Sequence, residues 1–330
     1  MRLPWGRLSD IGDLFLRSRE IEILGSLSFE ERCCAIPEQL FDENTKVTLV
    51  EITDPPDGFP NYEQEINIKT DQNRERLEAG DVLYEKIQAG LLATEDDLLD
   101  MLEGLTTNHQ SESVVILDLT SLPKRFFCFI LKRLLLIDTF SDVIVTYTEP
   151  LGYTGEHLAE DPMTCDHLPG FSAPLPPKGD TLVISVGYES LSIRSLMEVY
   201  ADRKKAIKLI LAFPSLGRST KRQWATIREM GVEPQEVQGN IESIASWDAE
   251  EVYRKLEQWH GDADGLALAP FGPKTHSLGM ALFALKHDAG LFYTQPKVYH
   301  PDYSFGEGES WAYVVKWKGV PCYERYSTHL

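Results

Sequence analysis

The order of short apolar runs along the chain constrains its fold most strongly. Eight short, largely apolar runs are typical of strands, and they lie at 21–24, 46–52, 114–119, 143–147, 181–185, 206–213, 266–270 and 290–299. Helix-period segments separate most of them, and strands that alternate with helices are typical of parallel sheets. The sequence therefore predicts an α/β fold built of two tandem Rossmann-like units with mainly parallel sheets.

The two halves also share short motifs in the same order. Gly25 stands seven residues before Arg32, and Gly187 stands seven residues before Arg194. Pro-Lys ends a loop in each half, at Lys124 and Lys274, and a Tyr-Thr-x-Pro-x-x-Tyr segment begins at 147 and again at 293. Repeated motifs after corresponding elements favour an internal duplication.

Composition suggests where the units begin and end. Residues 1–153 form the first Rossmann-like half, with an acidic helical insertion at about 62–113. Residues 154–180 are rich in proline and glycine, which break regular structure, and we expect them to connect the halves. Residues 181–330 form the second half, which ends in an aromatic strand segment at 311–317.

Charge and cysteine content exclude several kinds of protein. A formal net charge of −20 disfavours non-specific binding to long nucleic acid, although a small phosphorylated ligand needs only a few local donors. The sequence contains neither an apolar run of the roughly 20 residues that cross a bilayer nor a leader pattern, so we expect a cytoplasmic protein without membrane contact. The five cysteines lack paired metal spacing, which predicts buried thiols, no metal site and no cofactor.

Polar clusters follow several of the predicted strands. Ligands of parallel α/β sheets bind beyond the carboxyl ends of the strands, where such loops converge. A lysine at a helix start with loop amides around it suits a phosphate. The predicted ligand-binding residues are Gly25, Arg32, Thr120, Ser121 and Lys124 in the first half and Gly187, Tyr188, Arg194, Gly272, Lys274, Thr275 and Tyr293 in the second.

No catalytic residue is assigned, but two side chains could act as general acid or base. They are Glu189 and His276, and each has a structural alternative: a helix N-terminal carboxylate and a core or cap histidine. The lysines could likewise only cap strand ends, and Tyr293 could be a packed aromatic. Neither a Walker loop nor Gly-x-Gly-x-x-Gly is present, which disfavours nucleoside triphosphate hydrolysis and dinucleotide binding.

The stretch 266–285 combines an apolar strand, Gly272-Pro-Lys274 and an Ala/Leu-rich helix. It resembles the Gly-Thr-Lys strand-to-helix motif of CRISPR-associated Rossmann-fold (CARF) sensor domains, and two fused units resemble the related SAVED domains. The resemblance implies binding of a cyclic oligonucleotide across a pseudo-twofold cleft, with Lys274 on phosphate and the Gly187 loop on the opposite rim. Pro273 replaces the family's small hydroxyl residue, and Leu122-Pro123-Lys124 lacks its glycine.

Three functions remain open from the sequence. The first is a nucleotide-like ligand-binding sensor or accessory protein in an antiphage defence system. The second is a nucleotide- or nucleoside-processing enzyme that uses Glu189 or His276. The third is a structural interaction subunit without a small ligand, whose aromatic tail pairs with a protein partner or with a second copy of the chain.

Overall fold

The structure of the chain is a computed structural model. The structure describes residues 3–53, 60–106, 113–153, 159–172, 181–187, 196–197, 207–214, 219–231, 240–261, 265–302 and 304–325. The chain divides into two compact units. The first unit combines Met1–Glu156 with Lys297–Tyr326, and the second unit contains His157–Pro296. Among the helices of the described residues, none is long and apolar enough to span a membrane.

Helices and strands alternate through most of the described chain. The helices are α1 (Leu8–Phe15), α2 (Ala35–Leu40), α3 (Pro60–Ala79), α4 (Glu95–Thr106), α5 (Lys124–Leu136), α6 (Ser219–Glu229), α7 (Ala249–Gly261) and α8 (Lys274–His287). The strands are β1 (Trp5–Arg7), β2 (Ile21–Leu27), β3 (Thr45–Thr53), β4 (Glu85–Gly90), β5 (Val114–Asp118), β6 (Asp142–Thr148), β7 (Gly152–Tyr153), β8 (Ala159–Pro162), β9 (Asp166–His167), β10 (Thr181–Val186), β11 (Ile207–Ala212), β12 (Ile241–Ile244), β13 (Leu266–Pro270), β14 (Phe292–Tyr293), β15 (Pro296–Tyr299), β16 (Ser304–Phe305), β17 (Ser310–Trp317) and β18 (Val320–Pro321). The predicted α/β class is confirmed.

The first unit is built around one large sheet. Its described strands lie in the order β1-β17-β6-β5-β2-β3-β4, and β18 pairs with β17. Within this sheet, β6, β5, β2, β3 and β4 run parallel to one another. Every residue of β5 is buried, as expected for a parallel strand that is covered on both faces.

The C-terminal strand β17 belongs to this first sheet. It runs antiparallel between β6 and β1, where Ala312 lies opposite Thr146 on one side and Gly6 on the other. The Trp5 Nε1 donates a hydrogen bond to the Val314 carbonyl at 2.9 Å. The structure therefore differs from the domain division expected from the sequence, which placed this strand in the second half. Antiparallel pairing between distant segments leaves no local pattern, so adjacency along the chain was a poor guide.

The acidic segment between β3 and β5 also differs from a purely helical insertion. It contains α3 and α4, but the strand β4 lies between them and pairs in parallel with β3 at the edge of the sheet. Most β4 side chains are exposed, so the strand lacks the apolar signal of a buried strand. α4 packs on its own unit through one apolar face, on which Leu98 and Leu102 are buried.

The second unit has a four-stranded parallel sheet in the order β12-β11-β10-β13. A parallel bridge between Leu268 and Leu291 places the residue before β14 next to β13. This order matches β4-β3-β2-β5-β6 of the first unit strand for strand. An internal duplication requires the same strand order in both units. Doubly wound folds share this strand order without any duplication, however, so the duplication stays a prediction.

We expect Ala312→Glu to destabilise the first unit by about 3 kcal/mol or more, because it buries a charge without a partner. Ala312 is fully buried, whereas Val320, the site of the matched control Val320→Glu, is 40% exposed. Urea unfolding measures the loss, and hydrogen exchange should locate it in peptides of β1 and β6. Equal stability of the two variants, or faster exchange confined to β10–β13, would contradict the placement of β17.

Candidate functional site

The predicted site residues divide into three groups in the structure. Tyr188, Glu189 and Arg194 lie outside the described residues, so the loop that follows Gly187 is not part of the site described below. The remaining residues lie at or near the carboxyl ends of the parallel strands of their own unit. The residues of the second unit are Gly187, Gly272, Lys274, Thr275, His276 and Tyr293, and those of the first unit are Gly25, Arg32, Thr120, Ser121 and Lys124.

In the second unit, two glycines allow neighbouring loops to approach closely. A Cβ on Gly187 would lie 2.1 Å from the Phe271 carbonyl oxygen, and a Cβ on Gly272 would lie 2.0 Å from the Ser185 Oγ. Only glycine fits at position 187, where the backbone of Phe271 lies this close, and a side chain at position 272 would displace the Ser185 hydroxyl. The loops after β10 and β13 therefore meet at the carboxyl edge of the sheet, as the sequence predicted for a site.

Thr275 and His276 are fully buried behind this edge. The Thr275 hydroxyl donates to the Ser246 carbonyl. The His276 Nε2 lies 2.9 Å from the Ala245 carbonyl, and Nδ1 lies 3.1 Å from the Ser185 Oγ. Because the carbonyl can only accept, Nε2 carries the proton and Nδ1 accepts from Ser185. Both ring nitrogens are occupied, a geometry that favours the structural role of His276 over acid–base chemistry.

Lys274 is the first residue of α8, directly beyond β13. The N-cap residue is Pro273, and no side-chain hydrogen bond caps the helix. The first amides of a helix have no acceptor within the helix and create positive potential, which favours an anion there. Lys274 is partly exposed. Tyr293 is buried, and its ring packs against Phe271 with centroids 5.5 Å apart.

The first unit repeats this backbone arrangement with a different environment. Lys124 begins α5 after Pro123, again without a side-chain cap. Unlike Lys274, Lys124 is only 8% exposed. The strand predicted at 21–24 continues to Leu27, so Gly25 lies within β2, opposite Leu49, and not in the loop beyond it.

A buried polar network fills the carboxyl edge of the first sheet. The Thr120 hydroxyl donates to Asp118 Oδ1 at 2.6 Å and accepts the Thr148 amide at 2.9 Å. The Thr146 hydroxyl lies 3.2 Å from the same carboxylate oxygen, and the Ser121 and Ser26 hydroxyls lie 2.7 Å apart. The Thr120 hydroxyl therefore links β5 to β6, and the Ser121 hydroxyl links the loop after β5 to β2.

Arg32 lies at the same edge and is 2% exposed. Its Nη1 donates to the Thr148 carbonyl at 2.7 Å, and its Nη2 pairs with the Glu30 carboxylate. The guanidinium lies over the Tyr147 ring at 5.9 Å. Burial raises the pKa of the Tyr147 phenol, and the charge of Arg32 opposes that rise. Arg32 is therefore bound within its own unit.

A distant segment completes this arrangement. The Ser304 hydroxyl donates to Glu30 at 3.1 Å, the Gly306 amide donates to Glu31, and the Ser310 and Thr148 hydroxyls lie 2.9 Å apart. Residues 304–310 therefore run past the ends of β2 and β6. Sequence analysis did not find Ser304, Ser310 or the pairing role of Glu30, because contacts across more than 150 residues leave no local signal.

The cysteines of the described chain are free thiols. Cys33, Cys34, Cys128 and Cys322 are buried and Cys165 is half-buried, all without disulfides. Burial raises the pKa of the Cys128 thiol, and it raises the pKa of Cys165 to about 11. A thiol with a raised pKa holds its proton at neutral pH and reacts slowly.

A comparison with known proteins supplies no further indication of function. No protein-family model matches the chain, and no curated protein is significantly similar to it in sequence.

We expect Gly187→Ala to destabilise the second unit by about 2 kcal/mol or more, because the added Cβ would overlap the Phe271 carbonyl. Gly261→Ala is the matched control, since a Cβ at Gly261 meets nothing within 4 Å. In the last residue of α7, alanine should be neutral or stabilising by up to about 1 kcal/mol. Thermal and urea unfolding measure both variants, and equal effects would contradict the close approach.

We expect Arg32→Met to lower the free energy of unfolding by about 3–5 kcal/mol, because it leaves Glu30 buried without its cation. The double variant Arg32→Met with Glu30→Met should lose less free energy of unfolding than Arg32→Met alone, because no unpaired carboxylate is left buried. Arg254→Met is the control: it removes an exposed pair with Glu251 on α7 and should cost about 1 kcal/mol or less. A double variant that is the least stable of all would refute the pairing argument.

Proposed function

We propose that the chain is a sensor or accessory protein that binds a phosphorylated, nucleotide-like ligand at the carboxyl edge of the second unit's sheet. The observation that carries the proposal is Lys274, a partly exposed cation at the uncapped start of α8. Around it, Gly187 and Gly272 bring two loops together at the edge where parallel sheets bind ligands. A lysine, a helix N-terminus and close backbone are the elements that hold phosphate groups.

The second unit is favoured over the first by exposure. Lys124 occupies the corresponding position but is buried, and Arg32 is held by Glu30 and the Thr148 carbonyl. A ligand at the first edge would have to displace these internal bonds, whereas Lys274 at the second edge is partly exposed. The first unit then acts as a scaffold in the proposal.

The class of ligand comes from the resemblance to CARF and SAVED domains. That resemblance makes cyclic oligonucleotides the first compounds to test, and on the same ground we propose a role in antiphage defence. The chain carries a net charge of −20, so a small ligand held by local donors suits it better than a long nucleic acid.

The two other functions have less support. His276, one of the two acid–base candidates, has both ring nitrogens in hydrogen bonds within the fold, and the other, Glu189, lies outside the described residues. The aromatic tail proposed for partner pairing forms β17, which already pairs with β1 on one side and β6 on the other. Its backbone edges are therefore used within the chain.

We expect Lys274→Ala to weaken binding of the cognate ligand about tenfold to a hundredfold, since a charge-assisted hydrogen bond contributes roughly 1.5–3 kcal/mol. Isothermal titration with a panel of cyclic dinucleotides and cyclic tri-, tetra- and hexa-adenylates measures the affinity. Lys221→Ala, which removes an exposed lysine of α6, is the control and should bind like the unchanged protein. No binding by any member of the panel, or equal affinity of Lys274→Ala, would refute the proposal.

A further inference from the structure

A small cavity lies on the first unit, away from the carboxyl edge described above. It has a volume of about 40 Å³. Its floor is one face of the sheet near the amino ends of the strands, where Glu22 of β2 lies between Lys46 of β3 and Val115 of β5. The α4 and α5 segments form its walls through Leu102 and Leu134. Most of the remaining lining is apolar.

Two cations border this apolar space. They are Lys46 and Arg133, and Glu22 is the acidic residue of the described lining. Glu22 accepts a hydrogen bond from the Ser113 hydroxyl at 2.6 Å. Lys46 lies 3.7 Å from Glu85, and both of these side chains are well exposed, so that ion pair is weak.

Arg133 is the more informative of the two cations. It is half-buried, and within the described chain its guanidinium has neither an ion pair nor a hydrogen bond. The protein has 52 acidic residues against 32 basic ones, so an arginine without an acidic partner is unexpected. A guanidinium that is partly removed from water gains most from a planar, doubly accepting anion such as a carboxylate.

We propose that this cavity binds a short aliphatic carboxylate, whose tail fills the apolar space and whose head group pairs with Arg133 and Lys46. A water-sized group needs roughly 10–15 Å³ on this scale, so about 40 Å³ accommodates three to four carbon atoms. The predicted ligands are therefore butanoate and pentanoate. The site is independent of the proposed nucleotide site, because the two lie on different units.

Other occupants fit the cavity less well. A nucleotide requires several hundred cubic ångströms, far more than this space offers. Ordered water needs several polar partners, and the lining offers them only at the border, with Glu22, Lys46, Thr48 and Arg133, whereas the side chains of Leu24, Val115, Leu102, Leu134 and Phe140 provide none. An uncharged alkane would leave Arg133 without an anion. The combination of a short apolar space with a cationic border selects an amphipathic anion.

Titration of the full chain with propanoate, butanoate, pentanoate and hexanoate, followed by amide chemical shifts at constant ionic strength, tests the proposal. Each methylene contributes about 0.8 kcal/mol when buried, so affinity should rise about fourfold per carbon up to pentanoate and then level off. 1-Butanol and 1-pentanol should bind at least about tenfold more weakly than the acids. No saturable shift with any acid, or equal affinity of acids and alcohols, would overturn the proposal.

Variants locate the site. Arg133→Gln should weaken pentanoate binding about tenfold or more, whereas Lys132→Gln, an equal charge change at a neighbouring residue outside the lining, should not. Val115→Ile adds one carbon to the cavity, so the best ligand should become butanoate. Circular dichroism verifies that each variant is folded. Equal binding by Arg133→Gln and Lys132→Gln, or an unchanged length preference in a folded Val115→Ile, would overturn the assignment.

Discussion

The antiparallel pairing of β17 with β6 determines how the first unit is completed. Six register partners join these strands, from Ser310 opposite Thr148 to Lys316 opposite Val143. Because β17 begins where β6 ends, the segment before it must run past the carboxyl edge of the parallel sheet. The contacts of Ser304 with Glu30 and of Gly306 with Glu31 are consequences of this pairing.

The two units show how one backbone arrangement can support different chemistry. In each unit a helix begins at a Pro-Lys pair directly after a parallel strand, which is β5 in the first unit and β13 in the second. In the first unit, acids, hydroxyls and residues 304–310 fill the surrounding space with internal hydrogen bonds. In the described part of the second unit, close glycine packing supports a partly exposed lysine. Burial rather than the motif itself therefore separates a structural lysine from a candidate ligand-binding one.

Local patterns predicted the elements whose own residues carry a clear signal. The strands β2, β5, β10 and β13 have the apolar runs that are typical of buried strands, and a Pro-Lys pair precedes or begins the helix at both positions. β4 escaped prediction because its exposed polar residues form a strand only through pairing with β3. The strand predicted at 21–24 continues to Leu27, so Gly25 is a strand residue beside Leu49 rather than a loop residue. Arg32 could be located from the sequence, but its pairing with Glu30 and its buried environment could not, because they depend on the fold and on residues 304–310.

The discontinuous first unit has a consequence for synthesis of the chain. Trp5 pairs with Tyr313, so the outer edge of the first sheet is joined across more than 300 residues. At about 5–20 residues per second, a ribosome needs roughly 15–60 s between these two positions. Residues His157–Pro296 of the second unit are synthesised between β6 and β17. Until β17 follows them, the edge of β6 that it covers has no strand partner, and its backbone hydrogen-bonding groups are open to water or to another chain.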